Sequence, residues 1–315
     1  MIGESEAFRS AERLINKMAA YDAPVLIGGE TGTGKELAAR AIHYRSARRD
    51  RPFVPVNCGA LPDSLVESEL FGHRRGAFTD ARDDQPGLVA LAHSGTLFLD
   101  EVDTLTPKAQ VTLLRFLQDQ QYRPIGSRRD EQADVRVIAA SNDSLDDLVG
   151  AKRFRIDLFY RLKLMQLRLP PLRERKGDAE LLSRHFVQVG AARFGCPVRP
   201  LAADTLAWFE CYGWPGNVRE LEHLVYHGLL LCEGPAISVA PPTSLASAAH
   251  GPQIARGYRQ AKKQAITNFE HAYLVQLIDE AHGNVSVAAR MACTERRHLG
   301  RLLKKHHLLK TIPPV

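Results

Sequence analysis

The 315-residue chain has no C-x-x-C pair, and its cysteines, Cys58, Cys196, Cys211, Cys232 and Cys293, are odd in number. That argues against both a disulfide framework and a zinc site, so the thiols are expected to be reduced. No apolar run approaches the length of a membrane span. The start, Met1-Ile2-Gly3-Glu4-Ser5-Glu6, lacks the basic residues and apolar core of a signal peptide. A cytoplasmic location with no membrane partner is the expectation. Basic excess is also missing from most of the chain. Residues 251–315 hold eleven Lys and Arg against four Asp and Glu, a net of +7 within a total of +6, which leaves the first 250 at −1. A basic terminal module on a neutral body points to nucleic acid as a partner more than to a solvated face. At 44% hydrophobic and 25% charged, the composition is that of an ordinary globular protein, and the length suits about two domains.

What is present is a phosphate loop. Gly29-Glu30-Thr31-Gly32-Thr33-Gly34-Lys35-Glu36 fits the G-x-x-x-x-G-K-[ST] pattern at every position but the last. Ala23 to Gly28 before it reads as a buried strand, and Lys35 to Ile42 after it as a helix, which is the setting the motif requires. Glycines let backbone N–H groups converge on phosphate oxygens, the helix N-terminus adds positive potential, and Lys35 reaches the β and γ phosphates. The competing reading is a glycine-rich turn that matches by chance. Glu36 stands where Ser or Thr usually offers a hydroxyl to Mg²⁺, so the metal must lean on another carboxylate or bind differently.

From residue 7 to residue 170, helical and strand-like segments alternate, with apolar runs at Phe53–Val56, Thr96–Leu99 and Val135–Ala140. This is the pattern of a parallel α/β sheet. Pro170-Pro171 closes it, and Asp178 to Cys232 is helical apart from the turn Gly213-Trp214-Pro215-Gly216-Asn217. Residues 234–257, rich in Pro, Ala, Ser and Gly, read as a linker. In the tail, Ile266, Phe269, Tyr273, Leu274, Leu277 and Ile278 share a helical face, Gly283-Asn284 marks a stop and a new start, and Val285 to Met291 is a short helix. A tight turn at Ala292-Cys293-Thr294 leads to a helix over Glu295 to Lys305 with Leu299, Leu302 and Leu303 inward. Arg296, Arg297, His298, Arg301, Lys304 and Lys305 line its other side. Helix, tight turn and basic helix make a helix-turn-helix whose second helix enters the major groove of double-stranded DNA. A basic helical hairpin is the blander alternative.

Thr96-Leu97-Phe98-Leu99-Asp100-Glu101 is an apolar strand ending in two acids, the expected partner of the phosphate loop. Asp100 is the candidate metal ligand, and Glu101 is placed to polarise the attacking water. Ser141-Asn142, at the end of the run Val135–Ala140, would sense the γ-phosphate.

With these residues in hand, the chain resembles the bacterial sigma-54-dependent activators, or enhancer-binding proteins, over nearly its whole length. The resemblance rests on Gly29 to Glu36, where that family also ends in Glu, and on Glu69-Leu70-Phe71-Gly72-His73. Gly76-Ala77-Phe78-Thr79-Asp80-Ala81, Asp100-Glu101, Phe154-Arg155, Arg161-Leu162 and Trp214-Pro215-Gly216-Asn217-Val218-Arg219-Glu220-Leu221-Glu222 complete it. The tail is similar to the Fis-type helix-turn-helix of those proteins. The resemblance implies an α/β AAA+ P-loop NTPase core with a parallel sheet over residues 1–172, a helical lid subdomain over 173–233, a linker over 234–260, and an all-α helix-turn-helix domain over 261–315.

It also implies roles. ATP and Mg²⁺ are the cofactors, sigma-54 RNA polymerase holoenzyme is the partner, and the assembly is a homo-oligomeric ring, usually a hexamer. Arg155 and Arg161 would be arginine fingers reaching the neighbouring subunit's γ-phosphate. Arg219 would close on the nucleotide from the lid, and Asn57 would hydrogen-bond and switch the catalytic Glu101. Cys58 beside it is expected to be packing. Gly76 to Ala81 matches the loop that grips sigma-54, although Asp80 replaces the family's usual second Gly. Because the core starts within the first few residues, no regulatory domain is expected ahead of it, and control would fall to expression, to a separate protein or to the tail. A regulator that has lost its sigma-54 contact through Asp80 and acts by repression or on another polymerase form is the alternative. A helicase-loader-like motor is a third reading, disfavoured by the 76–81 loop and the arginine pair.

Overall fold

The computed structural model describes residues 1–62, 65–78 and 81–241, and beyond them residues 270, 274, 277, 278, 281, 284–292, 294 and 296–305. The elements run α1 (Glu6–Ala19), β1 (Val25–Gly28), α2 (Lys35–Tyr44), β2 (Phe53–Asn57), α3 (Val66–Phe71), β3 (Gly72–His73), β4 (Gln85–Pro86), α4 (Leu88–Leu91) and β5 (Thr96–Asp100). They continue with α5 (Pro107–Asp119), β6 (Gln121–Tyr122), β7 (Glu131–Gln132), β8 (Arg136–Ser141), α6 (Leu145–Gly150), α7 (Ile156–Leu162) and β9 (Met165–Arg168). Last come α8 (Asp178–Phe194), α9 (Ala203–Cys211), α10 (Asn217–Leu230), α11 (Val285–Met291) and α12 (Arg296–Lys305). Residues Met1–Ala240 form one compact unit and Pro241–Val315 another.

In the first unit, β2, β5, β8, β1 and β9 pair in that order, all parallel. Side chains alternate across a strand, so each strand supplies two cores. Leu26, Leu97, Leu99, Val137 and Ala139 face one side with residues of α3, α5 and α7. Val25, Ile27, Phe98, Ile138, Ala140 and Leu167 face the other with Ala11, Ile15, Ala38, Ala39 and Ile42 of α1 and α2. Burial on both faces explains why β1, β5 and β8 read as unbroken apolar runs. Each such large side chain taken from water contributes about 1.5–3 kcal/mol, so the core holds the strand ends in line.

Two short ribbons stand apart from this sheet. β3 pairs antiparallel with β4, and β6 with β7. Residues 74–78 and 81–84 lie between the two strands of the first ribbon.

Helices α8, α9 and α10 form the bundle that follows the sheet. Its packing centres on Trp214, 1% exposed, whose ring meets Phe209, Tyr212 and Trp208 and whose Nε1 donates to the Phe209 carbonyl. The N-terminal segment is anchored to this bundle by one carboxylate. Asp178 accepts hydrogen bonds from Glu4 N at 2.7 Å, Ser5 N at 3.0 Å, Ser5 Oγ at 2.9 Å and Arg175 Nε at 2.8 Å. Ser5 caps α1 through Phe8 N, and Arg175 lies 4.4 Å over the Phe8 ring while donating to the Ile2 carbonyl.

In the second unit, Asn284 caps α11 through Ser286 N and Val287 N. Leu274, Leu277, Ala281, Ala288, Ala289, Leu299 and Leu303 make a small core. The expected helices over Val285 to Met291 and up to Lys305 are present. Ile266, Phe269, Tyr273, Gly283, Cys293, Glu295 and the linker from 242 onward lie outside the described residues.

Arg175 and Asp178 are almost completely buried, at 4% and 1% side-chain exposure. Burial works against the Asp178 charge, but the backbone and Arg175 hydrogen bonds outweigh it and hold the carboxyl below its ordinary range. Its contribution to stability is therefore present above the carboxylate range and lost as the pH falls through the folded-state value. Asp178→Asn should leave Arg175 buried without its counter-charge and cost about 3–5 kcal/mol in denaturant titrations at neutral pH. The gap between variant and wild type should narrow as the pH falls below ~4, where the unfolded chain's carboxyl takes up its proton before the folded one does; equal midpoints at neutral pH would rule the anchor out.

Candidate active site

Register brings the chemistry to one edge. Gly28 pairs with Ser141 and Asn57 with Asp100, so the phosphate loop, the two acids and Ser141-Asn142 leave the sheet side by side at the strands' C-terminal ends. Open α/β sheets bind their ligands there. Thr31, Gly32, Gly34, Lys35, Glu36, Asp100, Glu101, Asn142 and Arg219 line a cleft of about 220 Å³. The cleft thus gathers most of the residues expected for nucleotide binding, including Arg219 from α10, while Gly29, Glu30 and Thr33 are not among those lining it.

The loop's shape depends on glycine at two points. Gly32 and Gly34 have φ of +79° and +94°, and Gly34 sits at the N-cap of α2, where no side chain caps the helix. The first backbone N–H groups of α2 are thereby left to an anion. Lys35 Nζ donates to the carbonyls of Gly29 and Glu30 at 2.8 and 3.2 Å and to Asn142 Oδ1 at 2.6 Å. Burial lowers the Lys35 pKa, while Asp100, Asp103 and Glu101 pull it back up. Burial raises that of Asp100, against a hydrogen bond from Glu101 N and the Lys35 charge. Burial thus works against the charge of both groups, and each is partly offset by the other.

Glu36 is ion-paired with Arg40 one helical turn on, at 2.8 Å. Its carboxylate is thereby paired within α2, and the carboxylates that act on the loop lysine are those of Asp100, Asp103 and Glu101. Glu101 takes a left-handed backbone, φ +56°, a conformation that costs about 1–3 kcal/mol and clusters at functional sites.

The hydrogen bond expected between Asn57 and Glu101 is made by Asn142 instead. Asn142 Nδ2 donates to Glu101 Oε1 at 3.4 Å, whereas Asn57 Oδ1 accepts from Gly59 N and Ala60 N. The physical reason is the turn Cys58–Ala60, whose start needs a capping acceptor that Asn57 supplies. Gly59 is nonetheless wedged between the two, since a Cβ there would lie 2.7 Å from Glu101 Oε2 and 3.3 Å from Asn57 Oδ1. Asn142 therefore links the loop lysine to the acid. Asp103, which sequence reasoning did not single out, holds the Asn142 backbone N–H at 3.1 Å. Cys58 is buried and its thiol is pushed up to about 12 by burial and by Asp100, Asp103 and Glu101, in keeping with packing.

Arg155 and Arg161 do not join the cleft. Arg155 pairs with Asp157 at 2.7 Å. Arg161 donates to the carbonyls of Leu117 and Gln118, and shares a cavity with Pro24 and Arg136, which precede or begin β1 and β8. The phosphate loop follows the other end of β1, so Arg161 lies across the sheet from its own chain's cleft.

Of the 76–81 loop, Thr79 and Asp80 lie outside the described residues. Gly76, at φ +78°, donates to the Ala81 carbonyl at 2.9 Å, and Ala81 donates to Phe78 at 3.0 Å, closing a tight tip on the β3–β4 ribbon. Phe78 is 41% exposed rather than packed inward, with His73 4.8 Å from its ring. On α12, Arg296, Arg297, His298, Arg301, Lys304 and Lys305 are exposed, and Lys305 pairs with Glu270.

Known proteins share this arrangement. Residues 1–168 match the Sigma-54 interaction domain and residues 173–252 the AAA+ ATPase lid domain. The response regulator protein PilR of Pseudomonas aeruginosa is 41% identical over 312 residues, 97% of this chain and 69% of PilR. The transcriptional regulatory protein GlrR of Escherichia coli is 42% identical over 92% of this chain and 64% of its own length. The chain thus spans about two thirds of the length of these relatives. A crystal structure of NtrX from Brucella abortus in complex with ATP is 32% identical with a TM-score of 0.74, covering 97% of this chain and 69% of that one. On the match of more than half its length and the cleft that its strands assemble, this chain belongs to the sigma-54 interaction family of AAA+ ATPases.

Proposed function

We propose that this protein is a DNA-tethered ring ATPase that hydrolyses ATP to remodel sigma-54 RNA polymerase holoenzyme and open promoters. The observation that carries the reading is the cleft joining Lys35, Asp100, Glu101, Asn142 and Arg219, in a chain that also leaves Phe78 exposed in the loop between β3 and β4. The loop amides and Lys35 hold the β and γ phosphates, Glu101 orients and polarises the attacking water, and Asn142 links the two. Arg219 closes the cleft from the lid.

Among the described residues no group of three or more His, Cys, Asp or Glu could hold a metal alone. That fits Mg²⁺, which is held by one or two carboxylates plus phosphate oxygens and water. Asp100 is the residue that would hold it, and its chemistry when bound is to neutralise charge on the phosphate oxygens.

The placement of Arg161 across the sheet supports a finger acting on a neighbour's nucleotide in a hexameric ring, with Arg155 at the start of the helix whose last turn carries Arg161. Asn57, one glycine away from Glu101, supports a switch in which the acid exchanges Asn142 for Asn57. The exposed Phe78 tip supports a contact with sigma-54. The exposed basic face of α12 supports a recognition helix in the major groove of upstream DNA sites.

Transcription from a sigma-54 promoter with purified polymerase tests the whole reading. Wild type should open the promoter only with hydrolysable ATP, and Lys35→Ala should lose ATP binding or turnover while keeping DNA binding. Normal turnover in Lys35→Ala would refute the assigned site, and activity confined to Asp80→Gly would favour the regulator without a productive sigma-54 contact. Arg161→Ala should bind ATP normally yet lose hydrolysis by several orders of magnitude, about 10³-fold or more if the finger acts in trans; an unchanged rate at saturating protein would count against it. Arg301→Ala should weaken DNA binding by about 1–3 kcal/mol if the side chain makes a bidentate base contact, and a gel-shift titration that matches wild type would exclude the contact.

A further inference from the structure

The lid turn docks on the phosphate loop by backbone and side chain together. A Cβ on Gly32 would stand 2.3 Å from the Gly216 carbonyl, so the two backbones meet with no room for a side chain between them. Val218 N donates to the Gly32 carbonyl at 3.0 Å. Asn217, wholly buried, carries the rest. Its Nδ2 donates to the Thr31 carbonyl at 3.0 Å and to Glu30 Oε2 at 3.2 Å, and its Oδ1 accepts from Leu172 N at 2.8 Å. The chemistry of these partners fixes the amide's orientation, because a backbone N–H must meet the oxygen and a carbonyl must meet the nitrogen. Glu30 is also held by Arg173 in a two-pronged ion pair at 2.5 and 2.7 Å.

Three segments therefore meet at one side chain: the phosphate loop, the junction between sheet and lid at Leu172, and the start of α10. The carbonyls of Gly29 and Glu30 are occupied by Lys35, and those of Thr31 and Gly32 by the lid. A loop whose carbonyls are tied back in this way turns its amides toward an anion. The lid cannot rotate without breaking these bonds or dragging the loop.

We propose that Asn217, with the Glu30–Arg173 ion pair, is a positioning joint that couples the phosphate loop to the lid, so that nucleotide in the cleft is read out as lid position. Neither Asn217 nor Arg173 lies among the residues lining the cleft, and neither is a catalytic residue. The proposal rests on the reading that the cleft binds ATP.

The chain supplies its own reporter. Its two tryptophans, Trp208 and Trp214, stack at 5.9 Å in the lid, and the Trp214 carbonyl accepts from Asn217 N at 2.8 Å. Asn217→Asp is the informative variant. Asp is the same size and tolerates the left-handed backbone of this position, φ +51°, but it presents a carboxylate to Glu30 and to the Thr31 carbonyl.

The experiment titrates the full chain with a slowly hydrolysed ATP analogue, following affinity by calorimetry and the lid by tryptophan emission. Wild type should bind with a change in emission. Asn217→Asp should bind about tenfold more weakly and lose most of the emission change. Its KM for ATP should rise while kcat at saturation stays within about threefold, the signature of lost binding rather than lost chemistry. Glu30→Arg and Arg173→Glu should each weaken binding and lose most of the emission change, and the double exchange should recover at least half of it. Should Asn217→Asp fail to fold, the Glu30 and Arg173 trio decides the question. Wild-type affinity and emission in these variants would overturn the joint, as would a wild-type chain that binds the analogue with no emission change. A wild-type chain that binds no nucleotide would instead overturn the proposed function.

Discussion

The groups that the sheet domain contributes to the cleft are where they are because parallel strands end on one line. Gly28 beside Ser141 and Asn57 beside Asp100 are consequences of register, and register follows from burying both faces of the sheet. A slip of one residue would move Leu97 and Leu99 to the face that Phe98 occupies, exchanging two packed cores at once. The site is thus positioned by apolar packing well away from it. Polar contacts then set its local detail: Lys35 on the loop carbonyls, Asn142 between Lys35 and Glu101, and Asp103 under Asn142.

The second constraint is the lid. Asp178 holds the N-terminal segment against it, and Asn217 holds the phosphate loop against it, at two buried polar clusters. Buried clusters of this kind are costly when half satisfied, so they define a position sharply. The lid is therefore registered to the core at two places and not merely packed on it. The ring ATPase proposed above would need such a connection, because the free energy of the phosphate chemistry is useful only if another part of the molecule moves with it.

Much of the fold was legible in the sequence. The runs at Phe53–Val56, Thr96–Leu99 and Val135–Ala140 became β2, β5 and β8 with ends shifted by a residue, because continuous apolar runs flanked by turns have few other uses in an α/β chain. β9 was not singled out. It is an edge strand with Leu167 fully buried and its neighbours partly or well exposed, so no apolar run announces it. In the site, the loop, Asp100, Glu101, Asn142 and Arg219 were all legible and all meet. The partner of Glu101 was not, because whether Asn57 spends its oxygen on a turn or on the acid depends on backbone geometry that no motif records.

Arg173, Arg175 and Asp178 show the same limit from another side. In the sequence they are charges near a helix start, the usual pattern of a solvated face. In the fold Arg175 and Asp178 are buried, and Arg173 reaches Glu30, 143 residues away. What the sequence determined by itself is the chemistry: glycines that admit positive φ, a lysine at a helix start, acids at the end of an apolar strand, and a basic terminal helix. These follow from local sterics and residue type. Which charges are buried, which amide links the lysine to the acid, and which side chain joins loop to lid were decided by the tertiary structure alone. Each depends on contacts between residues distant in the chain, and the free energy of those contacts exists only once the sheet and lid have packed.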